Sequence, residues 1–130
     1  MPSVSRNRIA NIDDYGAVED RHEDVDGTTV AFLTFREEVD AAPLLRGLPG
    51  DRCNCPHWGY VFTGKVTFAL DDREEVYEAG DAFCVPPGHV PHVAPGTEYL
   101  QFSPAEELRA VSDHIQRTFA ALHDADGVGE

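Results

Sequence analysis

Between residues 50 and 102 the chain is cut into short stretches of alternating apolar and polar residues by glycine, proline and paired aspartates. That rhythm constrains the fold more than any other feature. Successive side chains of a strand point to opposite faces, so a period of two bounded by turn residues reads as strands. Residues 57–63 (HWGYVFT) form one such stretch, stopped by Gly64. Residues 65–70 (KVTFAL) place Val66, Phe68 and Leu70 on one face, and residues 74–78 return after Asp71-Asp72 with Val76 on the expected buried side. Ala79-Gly80-Asp81 turns into residues 82–85, Pro86-Pro87-Gly88 ends that segment, and residues 99–102 follow Pro95-Gly96. Upstream, residues 28–36 (TTVAFLTFR) are rich in β-branched and aromatic side chains and read as a further strand. Short strands at near-regular spacing predict a sandwich or barrel. Tyr60, Phe62, Phe68, Tyr77, Phe83, Tyr99 and Phe102 are expected mostly in its core, while Trp58, alternate to His57, should face outwards. Residues 41–48 fit either a helical turn or a short strand carrying Leu44, Leu45 and Leu48.

The last element reads as a helix. Leu108, Val111, Ile115, Phe119 and Leu122 recur at helical spacing. Ser103 is a candidate N-cap, Pro104 suits the first helical position, and Glu106 completes a capping box. Such a stripe packs on its own domain or meets a second subunit. A chain of 130 residues has room for one domain. The expected division is a flexible arm over residues 1–14, a barrel over 15–102, a helix over 103–123 and a tail over 124–130. The acidic run that includes Asp13, Glu19, Asp20 and Asp24 is expected to be a solvated loop or edge.

Charge and cysteine usage narrow the function. The chain carries 24 Asp and Glu against 10 Lys and Arg, a net charge of −14. Such a surface repels phosphate backbones and anionic headgroups, so neither nucleic acid nor a membrane is expected as a partner. No stretch approaches the roughly 20 apolar residues of a membrane helix. Residues 1–15 lack a signal-peptide pattern, so the cytoplasm, where thiols stay reduced, is the expected compartment. Three cysteines are an odd number, and Cys53 and Cys55 lie one residue apart. Metal binding, redox chemistry or plain burial remain for them.

Two clusters carry the chemistry. The first is Cys53-Asn54-Cys55-Pro56-His57-Trp58-Gly59-Tyr60, the second Pro86-Pro87-Gly88-His89-Val90-Pro91-His92. Residues two apart in a strand share a face, which would point Cys53, Cys55 and His57 the same way. Thiolate and imidazole are the donors preferred by Zn²⁺ and softer transition metals. Four extended steps of ~3.3 Å would separate the Cα atoms of residues 53 and 57 by about 13 Å, too far for one ion. Either the chain bends at Pro56 or His57 pairs with only one of the two cysteines.

Residues 50–92 resemble the two motifs of the cupin superfamily, whose members are double-stranded β-helix barrels. Gly80-Asp81, five residues between Gly80 and Pro86, Pro86-x-Gly88 and the Pro91-His92 pair match the second motif. His57 and the following Tyr-Val-Phe-Thr-Gly, ending at Gly64, fit the first more loosely. Cys53 and Cys55 fall near the family's paired histidines, the usual glutamate is absent, and one extra residue lies between Gly88 and His92. The resemblance implies an all-β, cupin-type jelly-roll barrel followed by an α-helix. It implies a metal site inside the barrel, with Cys53, Cys55, His57 and His92 as candidate ligands, and His89 as either an inserted loop residue or a contributor to the site. Sulfur in place of oxygen donors turns the expectation towards zinc among the divalent transition metals. Cys84, lacking a motif partner, is expected to pack.

Three functions stay open at this point. The chain could be a metal-dependent enzyme acting on a small molecule, a barrel that binds or senses a small ligand without turning it over, or a barrel with a vestigial site. No catalytic acid–base pair is evident near the motifs. Family members commonly pair, so a homodimer is expected.

Overall fold

The computed structural model describes residues 3–128, and their side chains as far as residue 122. The chain runs β1 (Asn11–Asp14), β2 (Val18–Val25), β3 (Thr28–Phe35), β4 (Val39–Asp40), α1 (Ala42–Leu45), β5 (His57–Thr63), β6 (Lys65–Ala69), β7 (Glu74–Glu78), β8 (Ala82–Val85), β9 (Val90–Val93), β10 (Thr97–Pro104) and α2 (Ala105–Val128). The strands form a six-stranded sheet in the order β1-β2-β3-β10-β5-β8 and a four-stranded sheet in the order β4-β9-β6-β7. Every ladder is antiparallel. Phe35, Val61, Phe83, Val85 and Tyr99 from the larger sheet meet Val66, Phe68 and Val93 from the smaller in one buried core.

The expected alternation places most of these residues. Val66 and Phe68 point inward, as their spacing predicts. Trp58 faces outward. Tyr60, Phe62 and Phe102 depart from the expected core positions and are exposed. The reason is parity. Tyr60 and Phe62 share Trp58's side of β5 once His57 and Val61 point inward, and Phe102 pairs across from Trp58. Val76 is likewise half exposed, and Tyr77 takes its place against the core.

Consecutive strands β5 and β6 belong to different sheets, so the chain must turn a corner between them. Gly64 makes it with φ +82, and a Cβ there would collide with Thr97. The Thr97 hydroxyl accepts from Lys65 N at 3.0 Å and donates to Ala94 O at 2.7 Å. A side chain thus satisfies backbone groups that leave both ladders at the corner.

Residues 11–14, expected within a loose arm, pair with β2 from Asn11↔His22 to Asp14↔Glu19. Residues 41–48 contain a helical turn, α1, with Leu45 buried. Ser103, expected to cap the last helix, is instead an inward residue of β10. The helix starts at Ala105, whose N–H donates to Gly27 O at 2.9 Å. Helix α2 continues to Val128, through part of the expected tail. Val111 joins Leu45, Cys53 and Cys55 in a second apolar cluster, with Leu108 and Ile115 against it. The helical stripe therefore covers the chain's own barrel.

Candidate metal centre

Three side chains converge at one end of the barrel. His57 is the first residue of β5 and points inward. Cys53 lies just before, in a short bridge to the loop between β8 and β9. Its N–H donates to His89 O at 2.9 Å, and its carbonyl accepts from Gly88 N at 2.8 Å and His89 N at 3.2 Å. These bonds hold the two motifs side by side. The chain bends through Pro56, so Cys53 and His57 approach each other although four residues separate them. Cys53 Sγ lies 3.5 Å from His57 Nε2. One donor atom from each of Cys53, His57 and His89 lies within 4.8 Å of the other two, and all three residues are buried.

Hydrogen bonds fix both rings. His89 Nδ1 lies 2.7 Å from Pro86 O. A carbonyl only accepts, so Nδ1 carries the hydrogen and Nε2 presents a lone pair. That Nε2 is buried without a hydrogen-bond partner among the described residues. His57 Nδ1 lies 2.7 Å from Ser103 Oγ, leaving its Nε2 towards Cys53. The two rings stand 4.8 Å apart, and Phe68 packs edge-on against His89 at 5.3 Å.

Burial controls the charge of the cluster. It lowers the pKa of His57 to about 3, with His89 adding to the effect. It lowers His89 as well, against the pull of the Pro86 carbonyl. Burial raises the Cys53 thiol to about 11 and the Cys55 thiol to about 12. At neutral pH the site is two neutral imidazoles and a neutral thiol, all buried. A cation would displace the thiol proton and find both imidazoles already bare.

The other two expected ligands lie elsewhere. Cys55 is outside the group of three donors; it packs with Leu45 and Val111, its Sγ 3.5 Å from Pro56 O and hydrogen-bonded to Ser103, the partner of His57. His92 lies on the outer face of the smaller sheet, 2.8 Å from Glu38, with half of its side chain exposed. It is therefore corrected: it does not meet the cysteines. Val93 is buried, and steps of two from residue 93 lead through Pro91 to His89, which leaves His92 on the opposite face. His89 takes the inward place that the sequence reading gave to His92. Inward parity counted back from Val93 was the signal available for it. Nothing in the sequence pattern pointed to Ser103 as the partner of His57. Cys84, expected to pack, is exposed.

The family model described as a cupin domain matches residues 54–102. The crystal structure of a RmlC-like cupin from Shewanella frigidimarina NCIMB 400 is similar at 25% sequence identity and a TM-score of 0.52, covering 78% of this chain and 89% of that one. Residues 54–102 thus match the cupin domain family, and the barrel as a whole has the fold of the cupins it resembles. The polyketide cyclase RemF from Streptomyces resistomycificus shares the fold at 16% identity and a TM-score of 0.55, over 81% of this chain and 80% of that one. No curated protein matches the chain.

In this cupin-like barrel the donor set fits a divalent metal. A tetrahedral ion with bonds of ~2.0–2.3 Å keeps its ligands about 3.5 Å apart. The Cys53–His57 pair already has that spacing. The Nδ1 bonds to a carbonyl and a hydroxyl are the supporting contacts that orient histidine ligands. The lone pair of His89 Nε2 has no other use among the described residues.

Proposed function

We propose that this cupin-like barrel holds one divalent transition-metal ion, zinc in preference, on Cys53 Sγ, His57 Nε2 and His89 Nε2, and binds or acts on a small molecule beside it. The observation that carries the reading is the buried, unpartnered Nε2 of His89, aimed at the thiol and the second imidazole. An unsatisfied buried acceptor costs about 1–3 kcal/mol, which a bound cation removes. Three protein donors leave one position open, as in sites that do chemistry rather than closed structural ones. A bound ion there supplies polarisation of a carbonyl or an activated water.

The chain's own residues orient the donors and exclude water. Ser103 holds the His57 ring, the Pro86 carbonyl holds His89, and Phe68 closes one side. The Tyr99 hydroxyl, raised by burial, stays protonated and can only donate or accept a hydrogen bond at neutral pH. The metal-competent group contains no carboxylate. That favours, as the second reading, a barrel that binds or senses its small molecule without turning it over.

Metal analysis of untagged protein tests the proposal. About one equivalent is expected in the native chain and in Cys55→Ser and His92→Ala, and its loss in Cys53→Ser, His57→Ala and His89→Ala. Metal-free native protein, or metal retained by His89→Ala, contradicts it.

The proposal extends to a homodimer. Trp58, Tyr60, Phe62 and Phe102 are each about 40% exposed or more on the outer face of the larger sheet. Of the chain's 24 acidic residues, only Glu98 lies in β3, β5, β8 or β10. Two strongly acidic copies would meet at lowest electrostatic cost there. Three free cysteines suit a reducing compartment such as the cytoplasm. Among the described residues no helix is long and apolar enough to cross a membrane.

A further inference from the structure

A cavity of about 430 Å³ lies between the inner face of β1, β2, β3 and β10 and helix α2. None of Cys53, His57 and His89 lines it. Its volume falls in the range of small-molecule sites, roughly 300–1,000 Å³. Leu33, Val93, Leu108, Ile115 and Phe119 supply apolar wall.

Two polar groups open into this cavity from successive inward positions of β10. Gln101 is 8% exposed and Tyr99 is 4% exposed, and both line the cavity. Neither the Gln101 carboxamide nor the Tyr99 hydroxyl has a hydrogen-bond partner among the described residues. Their polar atoms are not sealed off, since among the described residues the buried unpartnered side-chain atom is His89 Nε2, so they open onto the cavity, where water or a ligand meets them. The next inward residue of β10, Ser103, is the one that holds His57, so the cavity lies beside the metal centre along one strand.

The charge of the wall selects the ligand. Asp13 on β1, Asp20 and Asp24 on β2 and Asp113 on α2 line the cavity, against Arg109 and His22 as its basic side chains. Arg109 is taken up by Asp24 at 3.4 Å, and His22 lies 3.3 Å from Asp20 and 3.8 Å from Asp13. We propose that this cavity binds a small organic cation, an ammonium group on an apolar body. The ammonium would meet Asp20 and the open Tyr99 and Gln101 groups, and the body would lie on the apolar wall under α2. The inference stands on residues apart from the metal donors, so it survives or fails independently of them.

Matched probes that differ in charge alone test it. Calorimetric titration with phenethylamine, phenethyl alcohol and phenylacetate should give saturable binding of the amine, at least about tenfold tighter than the alcohol, and none of the acid. Asp20→Asn should remove most of the preference for the amine over the alcohol. Gln101→Leu should weaken both amine and alcohol. If Asp20→Asn fails to fold, Asp113→Asn, at an exposed helix position, should still reduce amine affinity several-fold by the same charge effect. Equal binding of the three probes, binding of none, or an undiminished amine preference in the folded aspartate variant overturns the proposal. The same titrations on the metal-depleted His89→Ala protein should give unchanged amine affinity.

Discussion

Ser103 Oγ lies 2.7 Å from His57 Nδ1, and this contact joins the last strand of the barrel to the first residue of β5. The hydroxyl fixes the ring so that Nε2 faces Cys53. Outer contacts of this kind change metal affinity by about 10–100-fold when removed. Ser103→Ala is therefore expected to keep a metal but weaken it by that factor, read by competition with a chelator of known affinity. An unchanged affinity would show that the ring is held by packing alone.

Thr97 closes the corner at Gly64. Thr97→Val keeps the shape and strips the Lys65 N–H of its acceptor, so a loss of about 1–2 kcal/mol is expected in urea unfolding. Gly64→Ala should cost at least as much, because it adds a left-handed penalty of about 1–2 kcal/mol to a collision with Thr97.

His22 gives the fold a defined pH dependence. Its pKa is raised above 6.5, first by the Asp20 hydrogen bond and further by charges at Asp20, Asp13 and Asp24, against partial burial. Across the cavity, α2 presents Arg109, paired with Asp24, and Asp113. A histidine with a raised folded pKa contributes stability that is complete below pH 6.5 and disappears as pH rises through the folded value. NMR titration should show His22 deprotonating above 6.5 in the native chain. Asp20→Asn should lower that value and flatten the corresponding part of the Tm-against-pH curve.

The aromatic face of the larger sheet predicts the assembly state. Trp58→Glu should convert a dimer to a monomer in sedimentation, with the barrel's circular dichroism unchanged, because Trp58 makes its main exposure outside the core. A native monomer at high concentration would contradict the dimer.

The barrel was legible because strand period, glycine corners and Pro-rich turns are local signals. β5 was expected over residues 57–63 and occupies His57–Thr63. Face assignment was harder, since one buried residue decides a whole strand. Fixing Val61 as inward places Trp58, Tyr60 and Phe62 outside together, whereas the sequence reading split them. The cluster was half legible. Chain length alone left two alternatives, a bend at Pro56 or a pairing of His57 with one cysteine, and did not say which cysteine. His89 was not legible, because its inward position depends on where β9 begins, and the loop bonds from Cys53 to Gly88 and His89 that set this are long-range. Ser103 read as a helix cap because a serine before Pro-Ala-Glu fits that local pattern, and only the pairing of β10 with β5 reveals its other partner.

Loading the protein with cobalt(II) and recording its absorption spectrum tests the shared Cys53, His57 and His89 site most directly. The account predicts visible bands of a four-coordinate ion together with a thiolate-to-cobalt charge-transfer band. Both should collapse in Cys53→Ser and in His89→Ala, and both should persist in His92→Ala and Cys55→Ser. A spectrum lacking the thiolate band in the native chain, or one that depends on His92 rather than His89, would contradict it.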